Sequence, residues 1–176
     1  MAGGVFDLFV SFRMLILFLH VLAVLTWVGG LVYQVIVVAP VVGKGIASAA
    51  SIRIGLGCEA RFRAVMWPAV GLALFTGLVN VMNVWNGLRQ VGASLPAAFV
   101  SLLAIKLLLV AGMIVLQAGQ QFVVYPRRLS LAAQAGPDAA ALPAGLAVWQ
   151  RRALWLHVAT VCLAVPAILC ALMLRG

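Results

Sequence analysis

Apolar positions run in four long blocks along the chain, separated by stretches that gather nearly all the charges. The first block extends from Met14 to about Pro40, the second from Ala64 to about Trp85, the third from about Pro96 to Tyr125 and the fourth from Ala153 to Leu174. Each reaches the roughly 20 residues that an α-helix needs to cross the hydrocarbon core of a bilayer. No segment reads as a strand. The pattern predicts an all-α membrane protein, a four-transmembrane-helix antiparallel bundle that takes up residues 1–176 as a single integral membrane domain. The first and third blocks exceed the need, which implies tilt or extension beyond the lipid. The first is also too long for the apolar region of a signal peptide, and it lacks a basic leader.

The connections differ in character. Gly43 to Arg63 is small, Gly-rich and basic, and Asn86 to Leu95 is short and polar, as between antiparallel neighbours. Pro126 to Arg152 is Ala-rich, with Gly136-Pro137-Asp138 as a turn and Pro143 as a second breaker. All three read as loops. No convincing internal repeat emerges.

Composition sharpens the picture: 66% of residues are hydrophobic and 9% are charged. A soluble domain carries about 25% charged residues, because its surface must face water. Twelve Lys and Arg against three Asp and Glu give a net charge of +9. In a soluble protein that excess would suggest nucleic acid. Here the basic residues bracket the apolar blocks, so no nucleic-acid partner is expected. Four crossings put both termini and the second loop on one side, with Arg13, Arg89 and Arg175. The other side holds Lys44, Arg53, Arg61, Arg63, Arg127, Arg128, Arg151 and Arg152. The positive-inside rule then places the first and third loops in the cytoplasm of a bacterial-type inner membrane and both termini outside. Trp85, Tyr125, Trp149 and Trp155 fall near block ends, as interfacial aromatics do.

Few ionisable residues remain inside the blocks: His20 in the first, Lys106 in the third and His157 in the fourth. Each costs about 2.5–3.5 kcal/mol or more in lipid and is expected to face the bundle interior. Thr26, Gln34, Thr76, Asn80, Asn83, Gln117, Gln120, Gln121 and Thr160 are their softer polar company. Counting about 1.5 Å per residue from the flanking charges puts His20 and Lys106 nearly level, and His157 about 12 Å from His20.

Imidazole is the commonest ligand for haem iron and transition metals, and a four-helix bundle can enclose a flat apolar disc. His20, Ala23, Trp27 and Gly30 share one helix face, with two small residues to leave room and Trp27 to stack on a ring. Arg61 and Arg128, among other arginines, could pair with propionates. The bland alternative is a histidine satisfied by a neighbouring carbonyl or hydroxyl, with Lys106 reaching toward the interface. Copper(I) prefers thiolate, thioether and imidazole, but no Met or Cys pair stands at helical spacing. Cys58, Cys162 and Cys170 match neither a disulfide framework nor a zinc site. Asp7, Glu59 and Asp138 are the only acids, and none lies within a block. Carboxylate-based acid–base chemistry in the membrane is therefore not expected, and Glu59 reads as a local partner of Arg61.

The segment His20-Val21-Leu22-Ala23-Val24-Leu25-Thr26-Trp27-Val28-Gly29-Gly30 resembles the opening helix of the copper-resistance-D (CopD) family. It also resembles the HemJ-type membrane protoporphyrinogen IX oxidases. Glu59-Ala60-Arg61-Phe62, Met66-Trp67-Pro68-Ala69, Thr76-Gly77-Leu78 and Ile105-Lys106-Leu107 extend the resemblance over the first three helices. The fourth departs from the oxidase pattern, for Arg151-Arg152-Ala153-Leu154-Trp155-Leu156-His157 carries no carboxylate. The resemblance implies haem b on His20, with Lys106 as a functional polar group near it. His157 is the second axial ligand favoured by chemistry, and Lys106 the one favoured by depth. The expected function is electron transfer or oxidation in the membrane, with a quinone or porphyrinogen as partner. Copper transport, or an assembly role in a larger respiratory complex or homo-oligomer, is the alternative.

Overall fold

A computed structural model describes residues 2–40, 49–134 and 144–174. Their elements are helical: α1 (Ala2–Tyr33), α2 (Ala49–Gln90), α3 (Ala97–Gly119), α4 (Tyr125–Gln134) and α5 (Ala144–Met173). A π-turn at Gln34–Val38 extends α1, and another at Gln120–Val124 joins α3 to α4. Four stretches are long and apolar enough to cross a membrane: Ser11–Val38, Ser51–Gln90, Ala97–Gln134 and Gly145–Met173. The chain is an all-α four-helix bundle. α1 packs along α2 and α3 along α5, with α1 also touching α5. Outer faces stay apolar: Leu107, Leu108 and Val115 of α3 are exposed, a surface that lipid covers and water would not tolerate.

The helices overrun the blocks read from sequence. α2 has 42 residues, about 63 Å at 1.5 Å per residue, against roughly 30 Å of hydrocarbon. The stretch before Arg63, expected as a loop, is helical from Ala49. The stretch after Pro126 is helical to Gln134, and helix resumes at Ala144. Gly136-Pro137-Asp138, Pro143, Lys44 and Arg175 lie outside the described residues. The physical reason is a second apolar core in which Ile52 and Leu56 of α2 meet Tyr125 and Ala132 of α4 and Leu146 of α5. Ile52, Leu56 and Ala60 stand four apart on one helix face, so these small, basic segments bury a stripe against one another.

The central core is Trp27, Leu31, Met66, Val70, Met113 and Ala164, drawn from all four long helices. Gly30 permits its closest approach. A Cβ there would lie 2.9 Å from Phe62 Cζ, inside van der Waals contact, so α1 and α2 meet at this height only through glycine. The α2–α3 connection is a Schellman close: Ala93 N donates to Leu88 O at 2.9 Å and Gly92 N to Arg89 O at 3.1 Å. Gly92 takes φ +68, the left-handed conformation that this motif places after a helix.

Both π-turns end on the residue before a proline. Ala39 N–H donates to Gln34 O, and Tyr125 N–H to Gln120 O, five residues back. Pro40 and Pro126 follow, each without a donor of its own and in conflict with the carbonyl four residues earlier. The wider turn takes up that conflict with an extra residue. Gln34-Val35-Ile36-Val37-Val38-Ala39-Pro40 and Gln120-Gln121-Phe122-Val123-Val124-Tyr125-Pro126 share the pattern Gln-x-x-Val-Val-x-Pro. The correspondence spans seven residues, too short to be an internal repeat. Each turn points its first Gln inward, and both glutamines are buried.

Candidate functional site

The basic end of the bundle, where Arg53, Arg61, Arg63, Arg127, Arg128, Arg151 and Arg152 gather, holds a buried ion pair. Arg128 Nη1 donates to Glu59 Oε2 at 2.5 Å, and Gln120 Nε2 donates to Glu59 Oε1 at 2.8 Å. All three side chains are buried. Glu59 is thus the partner of Arg128 across helices, not of Arg61, which is exposed. The carboxylate sits on the inward face begun by Ile52 and Leu56, and Arg61 on the same helix turns away from that face. Nearby, the Arg63 guanidinium lies 3.7 Å from the centroid of the Tyr125 ring, and the Trp67 indole donates to Gln121 Oε1.

These contacts set α2 antiparallel to α3 and α4 and make it a ruler for depth. Glu59 matches Arg128, Arg63 matches Tyr125, and Trp67 matches Gln121. α5 is aligned by the cavity that Gly119, Val123 and Val124 share with Trp155, Leu156 and Ala159, and by Gly112 beside Leu163. His157 therefore lies at the height of Gln120 and Gln121. It is 7% exposed, within electrostatic range of Glu59 and Arg128, and its Nε2 has no hydrogen-bond partner among the described residues.

His20 sits further from the basic end. Its Nδ1 lies 3.0 Å from Ala73 O and 3.1 Å from Thr76 Oγ1. A carbonyl oxygen only accepts, so Nδ1 carries a proton. Thr76 Oγ1 spends its own proton on Leu72 O at 2.6 Å and accepts as well. In the neutral ring the lone pair is then on Nε2. Gly77 makes the approach possible, since a Cβ there would lie 3.2 Å from His20 Cε1. The carbonyl-and-hydroxyl environment foreseen for an ordinary intramembrane histidine is present, with the His20 ring partly buried. It is also the arrangement that orients metal-binding imidazoles, which donate their other N–H to a backbone oxygen.

On this ruler the three ionisable residues are separated. From Trp67 to Ala73–Gly77 is six to ten residues, so His20 and His157 are about 9–15 Å apart along the axis, as the sequence arithmetic expected. Lys106, fifteen residues from Gln121, is about 22 Å from that same height. It stands about 8–13 Å beyond His20 rather than level with it, because α3 is set further toward the opposite end than its flanking residues suggest. His20 and His157 therefore sit at different heights, His20 on Ala73 and Thr76 and His157 near Glu59 and Arg128. Groups of three or more His, Cys, Asp or Glu able to hold a metal are absent among the described residues. Arg128, held by Glu59, and Arg61 lie at the height of the ion pair, about 24 Å from His20, out of reach of propionates on a haem there. Trp27 is a core residue, 3% exposed, with an unpartnered Nε1.

What reading by apolar blocks missed is that Glu59 is buried and paired across helices with Arg128 and Gln120; the inward glutamines were already among the polar residues of the blocks. The signal was present, for Glu59 continues the Ile52–Leu56 stripe and the Gln-x-x-Val-Val-x-Pro pattern occurs twice. No protein-family model, curated protein or solved structure matches the chain.

Proposed function

We propose that the protein is a multi-pass inner-membrane protein of the kind that CopD-like and HemJ-like proteins represent. It holds one haem b through His20 and serves membrane electron transfer or oxidation, with a quinone or porphyrinogen as redox partner. The observation that carries this reading is the hydrogen bond from His20 Nδ1 to the Ala73 carbonyl. It fixes the tautomer and ring plane and puts the lone pair on Nε2, as an axial ligand requires. Haem would supply one-electron redox chemistry. Thr76 and Ala73 hold the imidazole, and the apolar helix faces keep bulk water from it. The donor set fits a single protein imidazole. His157, Lys106, Arg61 and Arg128 belong to other heights of the bundle and are not assigned to this haem.

The test is the absorption spectrum of the purified protein. A Soret band is expected, lost in His20→Ala and retained in His157→Ala. If neither the isolated protein nor the haem-supplemented protein shows the band, the reading fails. Stoichiometric copper without a Soret band would replace it with copper transport.

A further inference from the structure

Eight polar or charged residues are buried in the described chain, and their order along the bundle is not scattered. At the basic end stand Glu59 and Arg128, with Gln34 at about the same height by the register that seats Gly30 against Phe62. One step inward come Gln120, bonded to Glu59, and His157. Gln117 is one turn further along α3, and Thr160 one turn further along α5, so these two share the next height. Thr76 follows, already bonded to His20. Counted at about 1.5 Å per residue, Gln120 and His157 stand about 12 Å inward of Arg128, Gln117 and Thr160 about one turn further, and Thr76 about 8 Å beyond them; all are buried.

Four of the eight buried side-chain atoms that lack a hydrogen-bond partner among the described residues belong to these side chains, the others being Trp27 Nε1, Arg63 Nε, Asn83 Nδ2 and Gln150 Nε2. The four are Arg128 Nε, Gln120 Oε1, His157 Nε2 and Gln117 Oε1. Two of these atoms accept and one donates, and His157 Nε2 accepts when its ring is neutral. A buried polar atom left unpaired costs about 1–3 kcal/mol, and internal water that makes two to four hydrogen bonds is the usual remedy. A donor and several acceptors in sequence, rather than one isolated orphan, call for a row of waters. The Thr160 and Thr76 hydroxyls donate to Leu156 O and Leu72 O, which leaves their oxygens as acceptors, that of Thr76 already taking the His20 Nδ1 proton.

We infer that these residues form a water-filled file that gives protons at the basic end access to the His20 site. The Glu59–Arg128 pair anchors its mouth, and His157 and Gln117 line its course. Each water in such a row accepts a proton on one side and releases one on the other, so charge moves without any redox change. The file requires no haem, and its test reads no haem signal.

X-ray pulses split internal water into hydroxyl radicals that oxidise adjacent side chains, and mass spectrometry locates the products. The chain has two histidines, so labelling of the intact protein in nanodiscs has two clear reporters. Oxidation is expected at both rings, His157 included despite its burial. Gln117→Leu with Thr160→Val should abolish the label at His20 and leave it at His157. Thr160→Val alone, which keeps the side-chain shape, should weaken the His20 label without changing thermal melting. Absence of label at either histidine in the wild type would overturn the file, and so would an undiminished His20 label in the double variant.

Discussion

Glu59 and Arg128 show how much a single carboxylate matters where charge is scarce. Taking one partner from a buried pair leaves the other charge unpaired, at a cost of about 3–5 kcal/mol, whereas replacing both by apolar groups is often neutral. Arg128→Met is therefore expected to lower stability by that amount, and Glu59→Leu with Arg128→Met to restore most of it. Unfolding in detergent micelles measures both. A loss below about 1 kcal/mol in the single variant is the behaviour of an exposed pair and would contradict the burial described above. The sequence made His20, Lys106 and His157 visible because each is an ionisable residue in an apolar block. It marks Glu59 only as a surface partner of Arg61, because a block that begins at Ala64 leaves everything before it to a loop. Charge density marks where lipid ends, and the α2 helix runs on well past that point.

Among the elements, four helices could be read from apolar length alone, since a bilayer demands that length of each. Their ends could not, because α2, α4 and the start of α5 are stabilised by each other through Ile52, Leu56, Tyr125 and Leu146. That information lies in pairs of segments, not in any one of them. The π-turns were hidden for a similar reason, since Pro126 reads as a helix stop until the wider turn before it is known. A π-turn is one residue more than the α register needs, so deleting Phe122, which is 69% exposed, should return the segment to α-helix. Arg128 and Met113 should then keep their facing directions. Deleting Leu108, equally exposed to lipid but within regular helix, rotates everything on one side of it by about 100°. The Phe122 deletion is expected to fold with its melting temperature little changed, and the Leu108 deletion to aggregate. Equal tolerance of the two would mean that the turn has no spare residue. Gly30→Val tests the α1–α2 contact in the same assay, with overpacking against Phe62 expected to cost about 1–3 kcal/mol.

At the scale of the whole molecule, the basic residues do two jobs that composition alone could not separate. Arg128 is spent inside the fold, while Arg53, Arg61, Arg127, Arg151 and Arg152 remain at the surface of the same end. The orientation argument needs only the second group, and it still outweighs Arg13 and Arg89 at the opposite end. The chain's own cysteines report on this arrangement. Cys58 and Cys162 are both exposed in the bundle, but Cys58 sits beside Glu59 at the basic end, and Cys162 lies midway along α5, facing lipid. Maleimide reacts with the thiolate, which an apolar surrounding disfavours. A membrane-impermeant maleimide should therefore label Cys58 in inside-out vesicles and spare it in right-side-out ones, with Cys162 unlabelled in both. Cys58→Ser should remove the signal. Labelling of Cys58 in right-side-out rather than inside-out vesicles would reverse the topology and place the Glu59 end of the polar file outside. Labelling of Cys162 in intact vesicles would mean that its face of α5 meets water, which a lipid-covered four-helix bundle does not allow.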